Sequence, residues 1–445
     1  MKKLILFFIL ITTACNDNLD IEPQQAISTE VALSTEQGVK TALIGIYNLW
    51  ASTSLFSGDV LINSELLIDS DNLFWAGIFS DLTLLLEKRM GPSDNNIAFS
   101  WIRSYQIINQ TNSILSALEV VNETERDKVA AEARFLRAMT YFDLVNLYAR
   151  TWGDGNPSNN LGVSIITTPS EENLLNPIVP RNTVAEVYAL VAEDLQFAKA
   201  NLAKENGVFA TTYAASAVLS RVFLMQEKYD LAGMEADRIL KEGGYELLSD
   251  LMAVFNASNN TSEDIFSIQI TTRDNVHTVP YLYSGELEGG GGFIGITDEH
   301  IAKYEEGDKR KTLFYLDEQS DSRRTAKWRP NVSNDGNITL IRLAEMYLTR
   351  AETRFRTGDI SGATEDINNI RNRAGLPDLI ESELTLDHIL KERFLELVFE
   401  GHQYRDVKRN RQSVRDLAFN DARLIYPIPQ RELEVNSALV QNEGY

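Results

Sequence analysis

Two stretches of the sequence repeat one pattern: an apolar helix, a short polar break and a second helix. In the first stretch the predicted helices cover residues 213–226 and 231–240, and in the second they cover residues 341–356 and 360–373. Each stretch is about 30 residues long and carries Ala at the positions where two helices pack closely. A helical hairpin of this kind buries its apolar faces only by stacking on neighbours. The pattern therefore predicts a body of stacked helical hairpins.

This format is the layout of tetratricopeptide-like repeats, and three or four helical pairs are expected. Apolar residues recur at helical spacing over residues 129–148, and Asn182-Thr183 is a cap that begins another helix. Short strands are predicted at residues 265–270, where apolar and polar side chains alternate, and at residues 325–329. The predicted fold class is mainly α, with tetratricopeptide-like helical hairpin repeats, long inserted loops and a few short β-strands.

Two loop-rich stretches, residues 52–100 and 247–330, interrupt the helical pattern. Long loops on a rigid scaffold usually carry function. The chain is long for a single core, which stops growing near about 250–300 residues. No linker rich in Pro, Gly or Ser divides it, however, so residues 27–445 are predicted to form one domain in which both stretches are ligand-binding loops.

The N-terminus has the pattern of a secretory signal peptide. Two lysines precede an apolar run over residues 4–11, and Thr12-Thr13-Ala14 leads to Cys15, the single cysteine of the chain. The apolar run is shorter than the roughly 20 residues that a membrane-spanning helix needs. Residues 1–14 are therefore predicted to be a signal peptide. A lone cysteine at this point indicates lipidation of Cys15, and the polar, acidic residues 15–26 read as a flexible tether.

Four motifs near the C-terminus are the most specific signal in the sequence. They lie at residues 341–348, 370–377, 389–409 and 426–436. Together they resemble the SusD/RagB family of outer-membrane nutrient-binding lipoproteins, and the resemblance extends over nearly the whole chain. Three departures are small: the family usually has Arg, Leu and Pro where this chain has Gln403, Val407 and Glu443. Glu392, Arg393, Glu396 and Glu400 lie at helical spacings that favour charge pairs, so these residues are interpreted as scaffold.

The resemblance implies a location, a partner and a role. Members of the family sit on the outer face of the outer membrane, held by a lipid anchor. They cap a TonB-dependent transporter of the SusC type and pass it a ligand, usually a glycan. They bind this ligand without chemistry, so the resemblance implies neither an enzyme nor a cofactor.

Composition and motifs exclude several other classes. The formal net charge of −22 disfavours nucleic acid and anionic membrane surfaces as ligands. None of the four histidines has zinc-site spacing, and no nucleophile elbow or phosphate loop is present. Residues 69–72 resemble the start of a calcium loop but lack the Gly and the final Glu of an EF-hand. No catalytic residue and no metal site is therefore predicted.

The two loop stretches carry the side chains that a sugar site needs. Aromatic rings stack on the apolar faces of pyranoses, and polar groups bind the hydroxyls. The predicted ligand-binding residues are Phe74, Trp75, Asp69, Asp71 and Asn72 in the first stretch, and Arg273, Asn275, Tyr281, Tyr283 and Phe293 in the second. Trp75 and Tyr283 are favoured because they lie in polar, Gly-containing segments, whereas Trp50, Trp101 and Trp328 are interpreted as packing residues.

Two alternatives to glycan capture remain open at this point. One is a surface scaffold that binds proteins or peptides, and the other is a glycoside hydrolase with two carboxyl groups about 5–9 Å apart. An exposed arc of aromatic rings would favour a glycan ligand. A concave polar groove between helices would favour a peptide, and a deep pair of carboxylates would favour hydrolysis.

Overall fold

The computed structural model describes residues 28–69, 71–170, 178–273, 278–330 and 334–445. Within these ranges the helices are α1 (Thr29–Ala32), α2 (Glu36–Trp50), α3 (Asp59–Ile68), α4 (Ser80–Leu86), α5 (Asn95–Ser116), α6 (Glu123–Tyr148), α7 (Val184–Asn201), α8 (Thr212–Met225), α9 (Tyr229–Glu242), α10 (Thr278–Tyr283), α11 (Asp298–Ile301), α12 (Leu343–Thr357), α13 (Ile360–Arg373), α14 (Leu386–Leu397), α15 (Gln403–Arg409) and α16 (Gln430–Val435). The mainly helical fold predicted from the sequence is confirmed.

Both predicted hairpins are present, as α8 with α9 and as α12 with α13. Gly358 ends α12 with a φ of +94°, a left-handed conformation that glycine adopts without strain, and this lets the chain reverse into α13. The expected cap at Thr183 is also present. The Thr183 side chain accepts from the Glu186 amide while the Glu186 carboxylate accepts from the Thr183 amide.

The helices stack in a continuous series. In this series α5 packs on α6, α6 on α7, α7 on α8, and α9 on α12. Helix α6 is buried along nearly its whole length from Val129 to Tyr148, so it forms the centre of the core. Trp50, Trp101 and Trp328 are at most 3% exposed, which confirms them as packing residues. None of the described helices combines the length and apolarity that crossing a membrane requires.

A buried network of charges joins the C-terminal motifs to the rest of the body. Arg342 contacts Glu396 and Glu400 at 2.7 Å each and Glu263 at 3.0 Å, and Arg373 contacts Glu263 at 2.7 Å. The two C-terminal glutamates therefore pair with arginines of other elements, and not along their own helix as their spacing had indicated. Multiple ion pairs satisfy these buried carboxylates, which would otherwise be costly.

Six short strands pair two by two in the described part of the chain: β1 (Leu73–Trp75) with β3 (Ile294–Ile296), β2 (Asp264–Ile268) with β6 (Ile338–Arg342), and β4 (Phe314–Asp317) with β5 (Ser322–Thr325). Strand β2 confirms the strand predicted at residues 265–270. The strand predicted at 325–329 is wrong, because β5 ends at Thr325 and the next residues form a helical turn around the buried Trp328.

The first loop stretch is more ordered than the sequence suggested. Residues 52–100 contain α3, β1 and α4, and α3 is buried from Val60 to Ile68. The polar side chains of Asn63, Ser64 and Glu65 are buried with the apolar ones, so the sequence of α3 shows no division into a polar and an apolar face. The stretch at 247–330 carries only short elements, as expected for an irregular insertion.

Candidate functional site

The β1–β3 ladder brings the two loop stretches together. Leu73 lies opposite Ile296, and Trp75 lies opposite Ile294, in an antiparallel pair. Hydrogen bonds extend the contact at both ends: the Ala76 amide donates to the Phe293 carbonyl at 2.8 Å, and the Thr297 hydroxyl donates to the Asp71 carbonyl at 2.7 Å. Segments that lie 226 positions apart in the sequence thereby form one surface.

Five aromatic side chains lie on or beside this ladder and are called here the aromatic surface: Phe74, Trp75, Phe79, Tyr281 and Phe293. The last four rings form a cluster, and the Phe74 ring lies against Gly295 of β3. The Phe293 ring centroid lies 5.4 Å from that of Phe79, 5.6 Å from Tyr281 and 5.9 Å from Trp75. Phe79, Tyr281 and Phe74 are 44%, 42% and 38% exposed, and Trp75 and Phe293 are half-buried. Large rings exposed together mark a binding surface more than single exposed apolar residues do.

Glycines let three of these rings lie against the backbone. A Cβ atom built on Gly77 would fall 2.1 Å from the Trp75 ring, one on Gly291 would fall 2.5 Å from the Phe293 ring, and one on Gly295 would fall 2.0 Å from the Phe74 ring. Side-chain atoms are never found this close, so any larger residue would displace a ring. The glycines therefore help to set the shape of the aromatic surface.

The orientation of Trp75 is fixed by one hydrogen bond. Its indole Nε1 donates to the Thr83 hydroxyl at 2.9 Å, and Thr83 lies on α4. Because the N–H group is satisfied inside the protein, the ring contributes mainly its apolar face to any ligand. Helix α4 thus holds the Trp75 ring in place.

Two of the predicted polar contact residues hold the loop itself. Asp69 accepts hydrogen bonds from the backbone amides of Asp71, Asn72 and Leu73 at 2.9–3.2 Å, and it is 1% exposed. Asn72 is 2% exposed, and its Oδ1 contacts the His300 ring at 3.2 Å and accepts from Lys303. The expectation that Asp69 and Asn72 lie open to ligand is therefore corrected, whereas Asp71 is exposed.

Tyr283, another residue predicted to bind ligand, is buried in the core. It is the last residue of α10, it is 1% exposed, and its ring packs 5.8 Å from that of Phe399. Two positions along an α-helix correspond to a rotation of about 200° around its axis. The Tyr281 ring therefore faces outward and the Tyr283 ring faces the core. Replacing Tyr283 would be a core mutation, and the expectation that Tyr283 is a ligand-binding residue is corrected.

The remaining predicted residues divide in two. Arg273 is exposed, and Asn275 lies outside the described residues, as does the lipidation residue Cys15.

Phe79 was missed by the sequence analysis although it is the most exposed ring of the aromatic surface. A sequence signal was present, because Ile78 and Phe79 continue the apolar run that begins at Leu73 and lie directly before the polar residues Ser80 and Asp81. Ile78 is 86% exposed.

Below the aromatic surface lies a buried carboxyl group, Glu65 on α3. One of its oxygens accepts from the Gly401 amide at 2.8 Å, while the other has no hydrogen-bond partner within the described residues, as is also true of the Tyr283 hydroxyl. Burial raises the pKa of Glu65 to about 8, and so this group is mostly protonated at pH 7. Burial lowers the pKa of the nearby His300 to about 3, which leaves that ring neutral.

The described residues contain no group of three or more His, Cys, Asp or Glu side chains able to hold a metal ion. The buried glutamates near the C-terminus are held by arginines, as Glu352 is by Arg409 at 2.6 Å. The arrangement at the aromatic surface is suited to binding by ring stacking and surface contact.

Comparison with known proteins gives consistent results. Residues 302–423 match the SusD family model, and residues 17–224 match a second model described as starch-binding associating with outer membrane. A SusD-like protein of Bacteroides ovatus is 24% identical over 71% of this chain, which spans 65% of that relative. The starch-binding protein SusD of Bacteroides thetaiotaomicron is 23% identical over 85% of this chain and 84% of its own length. A solved structure described as a putative sugar binding protein from Bacteroides vulgatus superposes with a TM-score of 0.84, at 26% identity over 92% of this chain and 99% of its own.

Proposed function

Because this chain belongs to the SusD/RagB family, we propose that it is a cell-surface lipoprotein that binds oligo- or polysaccharides on its aromatic surface and delivers them to a SusC-like TonB-dependent transporter. Relatives and structural neighbours are described as starch-binding and sugar binding proteins, and one matching family is described as associating with the outer membrane. The proposal also includes removal of residues 1–14, lipidation at Cys15 and exposure to the cell exterior.

The observation that carries the proposal is the cluster of four rings on two joined loops, with the exposed Phe74 on the same ladder. Sugars present C–H faces that pack on aromatic rings, and a glycan chain needs several rings in a row because each contact is weak. The ring centroids around Phe293 lie 5.4–5.9 Å from it. This spacing places several rings within the length of a short oligosaccharide, and the rings project from a rigid helical body.

A binding role without catalysis fits the same site. At the aromatic surface, the exposed Phe79 ring and the half-buried Phe293 ring meet edge to face at 86°. Two carboxylates lie closest in sequence. Asp69 accepts from the loop backbone and lies 3.5 Å from Arg415, and Asp71 lies 3.7 Å from Arg415. We therefore infer a capture protein that leaves bond cleavage to other proteins.

The test is retention in affinity gels that contain a panel of neutral and acidic polysaccharides. The protein used lacks residues 1–15, which precede Leu33, the first residue of the described core. We expect one polymer to retard the protein, and Trp75→Ala and Phe79→Ala each to weaken this binding at least tenfold.

A matched control is Phe99→Ala, because Phe99 is 52% exposed on α5 and is not part of the aromatic surface. Retardation that persists in both ring variants would refute the site. If no polymer retards the wild-type protein, a peptide ligand or a protein-binding scaffold becomes the better explanation, and the family assignment is unaffected.

A further inference from the structure

A separate cavity of about 400 Å³ lies between α14, α15 and the end of α3. Its lining includes Ile68, Asn72, Lys303, Phe394 and Val407. Such a volume lies within the range of about 300–1,000 Å³ that is typical of small-molecule sites. The five rings of the aromatic surface are not among its lining residues, although Asn72 precedes Trp75 by only three positions. The cavity therefore adjoins the loop of the aromatic surface but has its own walls.

The charge that distinguishes this cavity is Lys303. Its ammonium group donates to Asn72 Oδ1 and lies 5.2 Å from the centre of the Phe394 ring. It forms no ion pair with any residue that the structure describes, and the carboxylates of Asp69 and Asp71 act on it from a greater distance. An ammonium group has three N–H donors and Lys303 has a single protein acceptor here. Burial lowers the pKa of Lys303, which is the expected cost of holding a cation without a carboxylate partner.

The other charges of the lining offset one another. Arg393 donates to Asp406 at 2.8 Å, and Asp406 also contacts Arg409 at 2.8 Å. At the rim, Asp387 and Lys391 lie one helical turn apart on α14 and carry opposite charges, and both side chains are exposed. Lys303 is thus a partly buried cation of the cavity that forms no ion pair among the described residues, even though the chain as a whole carries −22. An anionic group at Lys303 would complete its hydrogen bonds.

We propose that this cavity is a second binding site, for a sugar unit that bears a carboxylate, such as a hexuronic acid. The carboxylate pairs with Lys303, the apolar face of the ring packs against Phe394 and Leu397, and Gln403, Gln412 and Ser413 supply polar groups for the hydroxyls. The choice of a sugar over other small carboxylates rests on the proposed function. The cavity then selects acidic glycan units, while the aromatic surface holds the chain through its neutral faces.

The test is a titration of the purified full chain, in detergent, followed by saturation-transfer NMR. The probes are D-galacturonate and D-glucuronate, with D-galactose, D-glucose and acetate for comparison. We expect the uronates to bind at least tenfold more tightly than the neutral sugars and acetate. Lys303→Gln keeps a donor for Asn72 but removes the charge, and it should weaken uronate binding at least fivefold.

A second variant guards against a folding defect in the first. Gln403→Glu places a negative charge in the lining at the first residue of α15, where a helix tolerates an acidic side chain well, and it should also weaken uronate binding. Lys204→Gln removes the same charge at an exposed loop and should leave the titration unchanged. Uronates that bind no better than neutral sugars or acetate, or that bind both variants like the wild type, would overturn the inference.

The two sites fail independently in these experiments. Trp75→Ala should abolish retention by the polysaccharide without changing the uronate titration, and Lys303→Gln should leave retention by a neutral polymer intact. Loss of uronate selectivity with polymer retention preserved would remove the second site alone. Absence of polymer retention with uronate binding preserved would instead remove the role of the aromatic surface.

Discussion

Replacing Glu65 by Gln should remove a large pH dependence from the stability of the fold. Burial raises the pKa of Glu65 from its ordinary value of 4.5 to about 8. The folded protein therefore binds more protons than the unfolded chain between these two values, and stability is lost as pH rises through them. One pKa unit corresponds to about 1.36 kcal/mol, so ionising Glu65 costs the folded state about 4 kcal/mol between pH 5 and pH 9.

Glutamine copies the protonated form, because it keeps an oxygen for the Gly401 amide and carries no titratable charge. We expect Glu65→Gln to match the wild type near pH 5 and to exceed it by several kcal/mol at pH 9, a large share of the roughly 5–15 kcal/mol that holds a typical domain.

The measurement is urea unfolding of both proteins at pH 5, 7 and 9. Other buried carboxyls also titrate, since burial raises the pKa of Asp59 to about 7 and that of Asp143 to about 6. The informative quantity is therefore the difference in unfolding free energy between the two proteins. Glu381→Gln, at an exposed position, is the matched control. A difference that stays constant from pH 5 to pH 9 would refute the reasoning about Glu65.

Two further predictions concern the aromatic surface and the buried network. Gly295→Ala should push the Phe74 ring aside and weaken glycan binding several-fold, with little loss of stability because that ring is partly exposed and free to move outward. The control is Gly45→Ala, where nothing lies within 4 Å of the new carbon. Unchanged affinity in Gly295→Ala would count against the role of Phe74. Arg342→Met should reduce the unfolding free energy by about 3–5 kcal/mol, because the buried carboxylates of Glu396 and Glu400 lose their partner. The control is Arg89→Met, which breaks an exposed pair with Glu87 and should reduce the unfolding free energy by less than about 1 kcal/mol. Similar losses in the two variants would contradict this account of the network.

The helical scaffold was predictable because its signals are local. Apolar periodicity and the turns at Lys228 and Gly358 were enough to predict the hairpins α8–α9 and α12–α13. Helix α3 was missed because it is short and Asn63, Ser64 and Glu65 interrupt its apolar residues, although the structure buries all three. Helices α6 and α8 are buried as well, but they were predictable because they are longer and no Gly or Pro interrupts them.

The candidate site was predictable only as two separate segments. Aromatic and polar residues pointed to both loops, but the pairing of Trp75 with Ile294 joins positions that no local pattern connects. Whether Tyr281 or Tyr283 is exposed depends on which side of α10 each occupies. A helix of six residues is too short to reveal its buried face from sequence. The same limit applies to Lys303, whose significance depends on its forming no ion pair with any carboxylate among the described residues.

The β1–β3 ladder has a consequence for how the protein matures. Contacts between distant parts of a chain form late, since the entropy of closing a long loop opposes them. Trp75 is synthesised long before Phe293, and the helices α5 to α9 lie between them in sequence. A chain truncated before α10 would lack Tyr281 and Phe293, two of the five rings of the aromatic surface, however well its first helices had folded. Ligand binding at the aromatic surface is therefore expected only after both loop stretches have folded together.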